Sequence, residues 1–410
     1  MDKTLLILGA RSMQLPAIRT AKEMGLKVVV IDPLPDAVGM QYADNAYVFD
    51  LADEECIEIA RRHKVNGVMT LAADYPLPMV ARICHELKLP GPSCDAVHAS
   101  TNKHAMRELF AAAGIPAPRS RHAMTLDEAL EAHQKIDGPT IFKPVLCQGG
   151  RGITYISARA TRDEIKAAFE RAVRATRADG ILVEEFIDGP EFSVEAITFA
   201  GMTHVVAVTD KLTSGEPYFV ELGHTQPSQW PSQDIDQLIQ TAITGVKALG
   251  IDWAASHTEI RLGTDGPCIM EIAARMGGGY ITTHLVPLST GIDMVKAAIC
   301  LALQEEPDLN VRHDRGAAVR FLTADPGRVM EVSSVDTIRH TTGVCDAGFW
   351  VRQGDEVIPL LDSDGRVGYV ICEAVDPDMA GLLAEQAKDR IVISTSNKGH
   401  KNSRASESCA

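Results

Sequence analysis

The sequence predicts an α/β opening, an α+β middle region and a small β-rich segment after it. Three observations carry this. Apolar runs alternate with helical spacing from Thr4 to Leu87, a proline- and glycine-rich break falls at Leu89-Pro90-Gly91-Pro92-Ser93, and short strand-like runs separated by turns follow Gly316. Thr4–Leu8 is a continuous apolar run ending at Gly9, Leu15–Met24 has helical spacing closed by Gly25, and Lys27–Ile31 is a second apolar run. A second cycle reads as a strand at Tyr47–Phe49, an amphipathic helix over Glu54–His63, a strand at Gly67–Leu71 and a helix over Pro78–Leu87. Such alternation implies a parallel sheet covered on both faces. Gly9–Gln14 stands where a dinucleotide fingerprint would begin but lacks the second and third glycines of G-x-G-x-x-G, so a nicotinamide cofactor is not expected.

After the break, a helix starts near Ser100 and stops at Gly114 with Pro116 beyond. Strands are expected at Thr140–Lys143, Ile153–Ile156, Ile181–Glu185, Glu191–Phe199 and Thr203–Asp210. Helices are expected at Arg162–Ala175 and Ile235–Leu249, and a hairpin turn at Gly263-Thr264-Asp265-Gly266. The last segment offers strands at Ala317–Leu322, Phe349–Arg352 and Val367–Glu373, and beyond Ser394 a polar tail without apolar periodicity is expected to be disordered.

Composition narrows the classes. At about 150 residues per domain, 410 residues make two to three domains. A content of 45% hydrophobic and 23% charged residues is that of a soluble globular protein. The net charge of −15 would repel a phosphate backbone, which argues against nucleic acid as a partner. No stretch reaches the roughly 18 apolar residues of a membrane span, and a cytoplasmic location is expected. Nine cysteines without a C-x-x-C pair argue for reduced thiols.

The most informative pair is Glu259 and Glu271, which lie six residues on either side of Asp265. A hairpin centred there sets them opposite each other with Cβ atoms about 5 Å apart, where like charges destabilise. Magnesium, which takes carboxylate oxygens and keeps phosphates as other ligands, would compensate. A slipped register would instead put both in solvent. Lys143 ends one strand, and Gln148-Gly149-Gly150-Arg151-Gly152 follows before the next. Glycines bring backbone N–H groups close to an anion and a lysine adds a point charge, although a flexible hairpin with a structural lysine has the same pattern. Glu184-Glu185-Phe186-Ile187 ends a strand and can offer backbone groups to a flat base. Glu191 begins the next strand, and a carboxylate suits ribose hydroxyls. Lys103, alone, reads as an ordinary solvated helix residue.

Taken in chain order, these residues resemble the ATP-grasp superfamily over most of the chain. The resemblance implies a Rossmann-like pre-ATP-grasp domain over 1–95, an ATP-grasp domain over 96–312 with a lid over about 118–188, a β-rich C-terminal domain over 313–395 and a tail over 396–410. It implies that Lys103, Lys143 and the lid loop Gln148, Gly149, Gly150, Arg151 and Gly152 hold ATP, with Glu184, Glu185, Phe186 and Ile187 as the adenine hinge and Glu191 on the ribose. Glu259 and Glu271 match the metal ligands, and Arg275 matches the arginine that holds an acyl phosphate. The residues after Arg275, Gly277, Gly278 and Gly279, are then expected to line the acid pocket and leave it roomy, or else to make a tight turn with positive φ. One departure is Glu271-Ile272-Ala273, where the family commonly has E-x-N. Within the superfamily, Gly327-Arg328-Val329, Gly354–Val357 and Gly365–Val370 resemble the C-terminal domain of L-amino-acid ligases and related carboxylate–amine ligases.

What the resemblance implies is an ATP-dependent ligase. It activates a carboxylate, such as that of an amino acid, as an acyl phosphate and joins it to an amine with release of ADP and phosphate. ATP and Mg2+ are the implied cofactors, with Mn2+ able to substitute, and the partners are a small-molecule acid and amine, with room for a homodimer. Purine-pathway ATP-grasp enzymes, biotin carboxylases and a non-catalytic ATP-binding paralogue are the alternatives.

Overall fold

The computed structural model describes residues 3–396. Strands Asn45–Tyr47, Lys27–Ile31, Thr4–Leu8 and Gly67–Met69 form, in that order, a parallel sheet. Its central strands are buried on both faces, as their unbroken Leu/Ile/Val runs require. The Gly9 loop does not form an anion cradle. Asp32 accepts from the Ala10 amide at 2.7 Å, and Gln14 bonds Thr70 and Leu71 across the mouth of the loop.

The proline-rich break leads into helix Cys94–Thr101, capped by Ser93, and then helix Lys103–Ala113. The helix expected from near Ser100 begins at Lys103 and stops at Gly114, and Cys94–Thr101 is an additional helix before it. Asn102, rather than Ser or Thr, caps the second by accepting from the His104 and Ala105 amides. A four-stranded antiparallel sheet follows, in the order Ser120–Ala123, Ile181–Glu185, Thr140–Pro144, Thr154–Ile156, covered by helices Leu126–Ile136 and Arg162–Ala175.

The centre of the molecule is one antiparallel sheet of eight strands. They run in the order Gly266–Ala273, Ala254–Gly263, Glu191–Phe199, Met202–Thr213, Glu221–Gln226, Gly316–Leu322, Gly368–Ala374, Val344–Phe349. After Gly316, strand Gly316–Leu322 pairs with Glu221–Gln226 and extends the central sheet. A separate three-stranded sheet, Glu356–Val357, Gly327–Val332, Ile393–Ser396, closes the C-terminal end. Ser396, expected in the tail, pairs with Arg328; the rest of that tail lies outside the described residues.

One apolar core joins the opening sheet to the central one. Ile7 and Val28 pack with Leu285, Ile299 and Phe321 through the buried helix Met294–Ala302. Contact is so close at Gly67 that a Cβ there would lie 2.2 Å from the carbonyl oxygen of Ala302. Among the described residues no single helix is long and apolar enough to cross a membrane, and the cysteines are unpaired.

Candidate active site

Two lysines stand at one end of the site. Lys103, the first residue of its helix, places Nζ 3.0 Å from Glu271 and donates to the Cys147 carbonyl at 2.8 Å. Lys143 pairs with Glu184 at 2.5 Å, and Arg107 holds the same carboxylate at 2.8 Å while also donating to the Met270 carbonyl. All four side chains, Lys103, Arg107, Lys143 and Glu184, are buried. Burial pulls the Lys143 ammonium down, Glu184 only partly offsets this, and nearby Arg107 and Lys103 pull it further, to about 8. Three cations thus share two carboxylates, Glu184 and Glu271, which leaves an excess of positive charge suited to phosphate.

The glycine-rich loop lies over these lysines. Gly149, Gly150 and Gly152 have φ of 69°, 72° and 78°, and at Gly152 a Cβ would lie 2.7 Å from Pro144. Gln148 accepts from the Asp74 amide at 2.9 Å. Arg151 makes a fork with Asp364 at 2.7 and 2.6 Å, and the Gly149 carbonyl accepts from the Ser363 amide. The loop therefore bridges the N-terminal and C-terminal segments.

The hinge expectation is modified. Glu184 is consumed by Lys143 and Arg107, and Glu185 by Arg119 at 2.9 Å. The Phe186 amide donates to Pro139, and the Ile187 carbonyl accepts from Arg261. What the segment presents is aromatic surface, since Phe186 stacks on Phe219 with Tyr155 at its edge. Glu191 pairs through one oxygen with Lys211 and through the other with Arg261.

Glu259 and Glu271 do face each other across the hairpin. The turn, however, is the two-residue Thr264-Asp265, and in an unbroken ladder from it Glu259 would meet Met270. A bulge at Met270 adds one residue and restores the Glu259–Glu271 pair. Lysines offset the like charges: Lys103 serves Glu271, and Lys211 lies 2.7 Å from Glu259, 2.8 Å from Glu191 and 3.0 Å from Glu221. Burial works against the Glu259 carboxylate, but Lys211 and His257 hold it well below the usual range. His257 contacts Glu195 and Glu259; burial lowers its pKa, and these two carboxylates more than reverse that, raising it to about 10. Among the described residues no group of three or more His, Cys, Asp or Glu side chains forms a metal cage. The protein's share of a magnesium site would be Glu259 and Glu271, which fits an ion that keeps phosphate oxygens and water as its other ligands.

Arg275 pairs with Asp74 of the N-terminal segment and donates to the Met276 carbonyl. The three glycines after it are not equivalent, and features of both expected alternatives occur, open space at one and a positive φ at another. A Cβ on Gly277 would lie 2.7 Å from both Glu195 and His257, and one on Gly279 would lie 2.8 Å from His224 in a backbone with φ of +59°. Only Gly278 faces open space.

Sequence reasoning missed Asp74, Arg107, Glu195, Lys211, Glu221, His224 and His257. Period-2 alternation could have found two of them. Glu191 and Glu195 share a face, and Glu195 pairs in register with His257, two residues before Glu259.

The chain is similar to known proteins. The ATP-grasp domain family matches residues 136–284, and the L-amino acid ligase C-terminal domain 2 family matches residues 320–396; together they cover more than half of the chain. The chain carries an ATP-grasp domain followed by an L-amino acid ligase C-terminal domain. The structure of L-amino acid ligase from Bacillus licheniformis superposes on this ATP-grasp chain with a TM-score of 0.83 at 25% identity, covering 97% of this chain and 99% of that one. An uncharacterized protein of Sinorhizobium fredii is 28% identical over 339 residues, 82% of this chain and 70% of that protein. Alanine–anticapsin ligase of Bacillus subtilis is 25% identical over 299 residues, 67% of this chain and 62% of that ligase. The match thus spans less than two thirds of the length of alanine–anticapsin ligase.

Proposed function

We propose that this ATP-grasp ligase joins a carboxylic acid, such as an amino acid, to an amine at the expense of ATP. The observation that carries the reading is the opposed pair Glu259 and Glu271, each held by its own buried lysine, beside an excess of cation at Lys103, Arg107 and Lys143. The division of the chain at about residues 95 and 312, with a lid over about 118–188, belongs to the same proposal.

The chemistry follows from the charges. A carboxylate is a poor acyl donor, so its oxygen attacks the γ-phosphorus of ATP and ADP leaves. The amine then adds to the acyl carbon, and phosphate departs carrying that oxygen. Lys103 and Lys143 hold the phosphates, and the loop Gln148–Gly152 covers them and excludes water. Glu259 and Glu271 would hold magnesium, whose charge stabilises the transferring phosphoryl group. Arg275, anchored by Asp74, supplies a fixed cation for the acyl phosphate. Release of ADP that requires both an acid and an amine, with a mass-identified amide product, supports the reading. ADP release dependent on bicarbonate, or nucleotide binding without turnover, contradicts it.

Two further outcomes are expected. Because Lys143 sits at about 8 without nucleotide, it is largely charged at pH 6.5 and partly neutral above pH 8. Phosphates beside it restore the charge, so ATP binding at about pH 8.5 takes up a proton and binding at about pH 6.5 does not. Calorimetry in two buffers of different ionisation enthalpy measures this directly. For the acid pocket, Gly278→Leu should raise KM most for the bulkiest acids, because it fills the open space. Gly279→Leu should lower activity with all acids alike, because it strains the turn and strikes His224.

A further inference from the structure

Two arginines in this structure lie on aromatic faces near the site, and they differ in one respect. Arg261 lies over Phe186 and Phe219 with its N–H groups spent on Glu191 and the Ile187 carbonyl. Arg366 lies 3.9 Å from the centre of the Phe321 ring, and Nε donates to the Ser363 carbonyl. Its Nη1 is buried without a hydrogen-bond partner, and Glu221, the acid facing it, stands 3.7 Å away. The side chain is 11% exposed. Burial outweighs the nearby Glu221 and Asp364 and holds this guanidinium below its ordinary range.

The surroundings are those of a receptor. His224, 1% exposed, has neither ring nitrogen hydrogen-bonded, and Nε2 lies 3.9 Å from Glu221. Tyr280, Tyr369 and Trp350 form an aromatic cluster beside Arg366. Tyr280 and Tyr369 have ring centres 4.2 Å apart, Tyr369 donates to Asp346 at 2.8 Å, and Trp350 is 45% exposed. Tyr280 adopts φ of 66°, a conformation that a non-glycine residue rarely takes, and its ring packs against Tyr369. The turn carrying Arg366 is tied to the glycine loop through Arg151–Asp364 and Ser363–Gly149, so the same contacts that seat the loop seat the guanidinium.

We propose that Arg366 receives a substrate carboxylate that does not itself react, bound in plane by the guanidinium edge that carries the unpartnered Nη1, beside Tyr280, Tyr369 and Trp350. This rests on the ligase reading above. The reacting carboxylate must meet the γ-phosphate beside Glu259 and Glu271, whereas Arg366 connects to Glu259 only through Glu221 and Lys211. An arginine stacked on a ring keeps its N–H fork free for a carboxylate, and binding there satisfies the orphaned Nη1. The carboxylate comes either from an amine substrate that is an amino acid, or from a second acid group on the activated substrate.

The test uses the whole chain with matched substrates. One pair is an amino acid and its α-amide, offered as amines with a monocarboxylic acid. The other is a dicarboxylic acid and its monoamide, offered as acids with a simple amine. In one of the two pairs the wild type should prefer the carboxylate-bearing partner by about 100-fold or more in kcat/KM. Arg366→Gln should bring that ratio to within about threefold of unity, and Arg366→Lys, which keeps the charge but not the fork, should leave an intermediate ratio. The pair that responds identifies the source of the carboxylate. A ratio near unity in wild type for both pairs, or an unchanged ratio in Arg366→Gln, overturns the inference. Trapping the acyl phosphate with hydroxylamine separates the two readings. Hydroxamate from wild type without a carboxylate preference refutes the Arg366 site alone, and no hydroxamate with any acid refutes the ligase reading and the site with it. Should Arg366→Gln fail to fold, the Arg366→Lys ratio and the wild-type preferences still decide.

Discussion

Glu271→Ala should lower amide formation by about 100-fold or more while the protein stays folded, because the lost group stabilises charge at the transferring phosphoryl group and fills no core. Glu271 is partly exposed and lies on an edge strand of the central sheet. Its removal leaves Lys103 with the Cys147 carbonyl as acceptor, so the buried ammonium is not stripped of partners. Glu271→Gln, which restores an acceptor for Lys103 but not the charge, should be impaired to a similar extent. Steady-state product formation together with a thermal melt distinguishes this from unfolding. Wild-type-like rates in Glu271→Gln would place the reaction's charge elsewhere.

Lys211→Met should be the most destabilising single change at the site. Its ammonium is buried and touches Glu191, Glu221 and Glu259, each within 3.0 Å. Removing one partner of a buried ionic cluster typically costs about 3–5 kcal/mol, since the remaining charges stay desolvated. Arg261 and His257 still serve two of the three carboxylates, and Glu221 is left with Arg366 at 3.7 Å and a neutral His224. The sign of the pH dependence follows. Glu221 and Glu259 are held below their ordinary pKa in the folded protein, so the stability they contribute is present above about pH 4.5 and is lost as pH falls. The gap between wild type and Lys211→Met in denaturant midpoint should therefore be widest at neutral pH and close below about pH 4.5. A gap that widens with acid would contradict the assigned ion pairs.

These residues also mark what the sequence could reveal. Strands Thr4–Leu8, Lys27–Ile31, Ile181–Glu185 and Glu191–Phe199 and helix Arg162–Ala175 are legible to the residue, because each is a long periodic or apolar run ended by a turn former or capped by a box. Helix Leu126–Ile136 was overlooked although Thr125 and Glu128 form a capping box that the sequence displays. The strand expected at Thr203–Asp210 stops one residue before Lys211, which binds three carboxylates, whereas the observed strand Met202–Thr213 includes it. Strand Glu221–Gln226 carries Glu221 and His224 but is interrupted by Gly223 and flanked by Pro217 and Pro227, which conceal its period. The opposition of Glu259 and Glu271 was expected from a turn centred on Asp265, whereas the structure reaches it through a two-residue turn and a bulge. Arg107, Asp74 and Arg366 join the site from distant segments, and no local pattern announces such long-range contacts.

The most direct test follows the oxygen. When both carboxylate oxygens of the acid substrate carry 18O, activation as an acyl phosphate requires that one labelled oxygen leave with the phosphate for each amide formed. The account predicts phosphate bearing one 18O, in amounts equal to the amide and dependent on ATP and on both substrates. Amide or ADP accumulating while the phosphate stays unlabelled would contradict it.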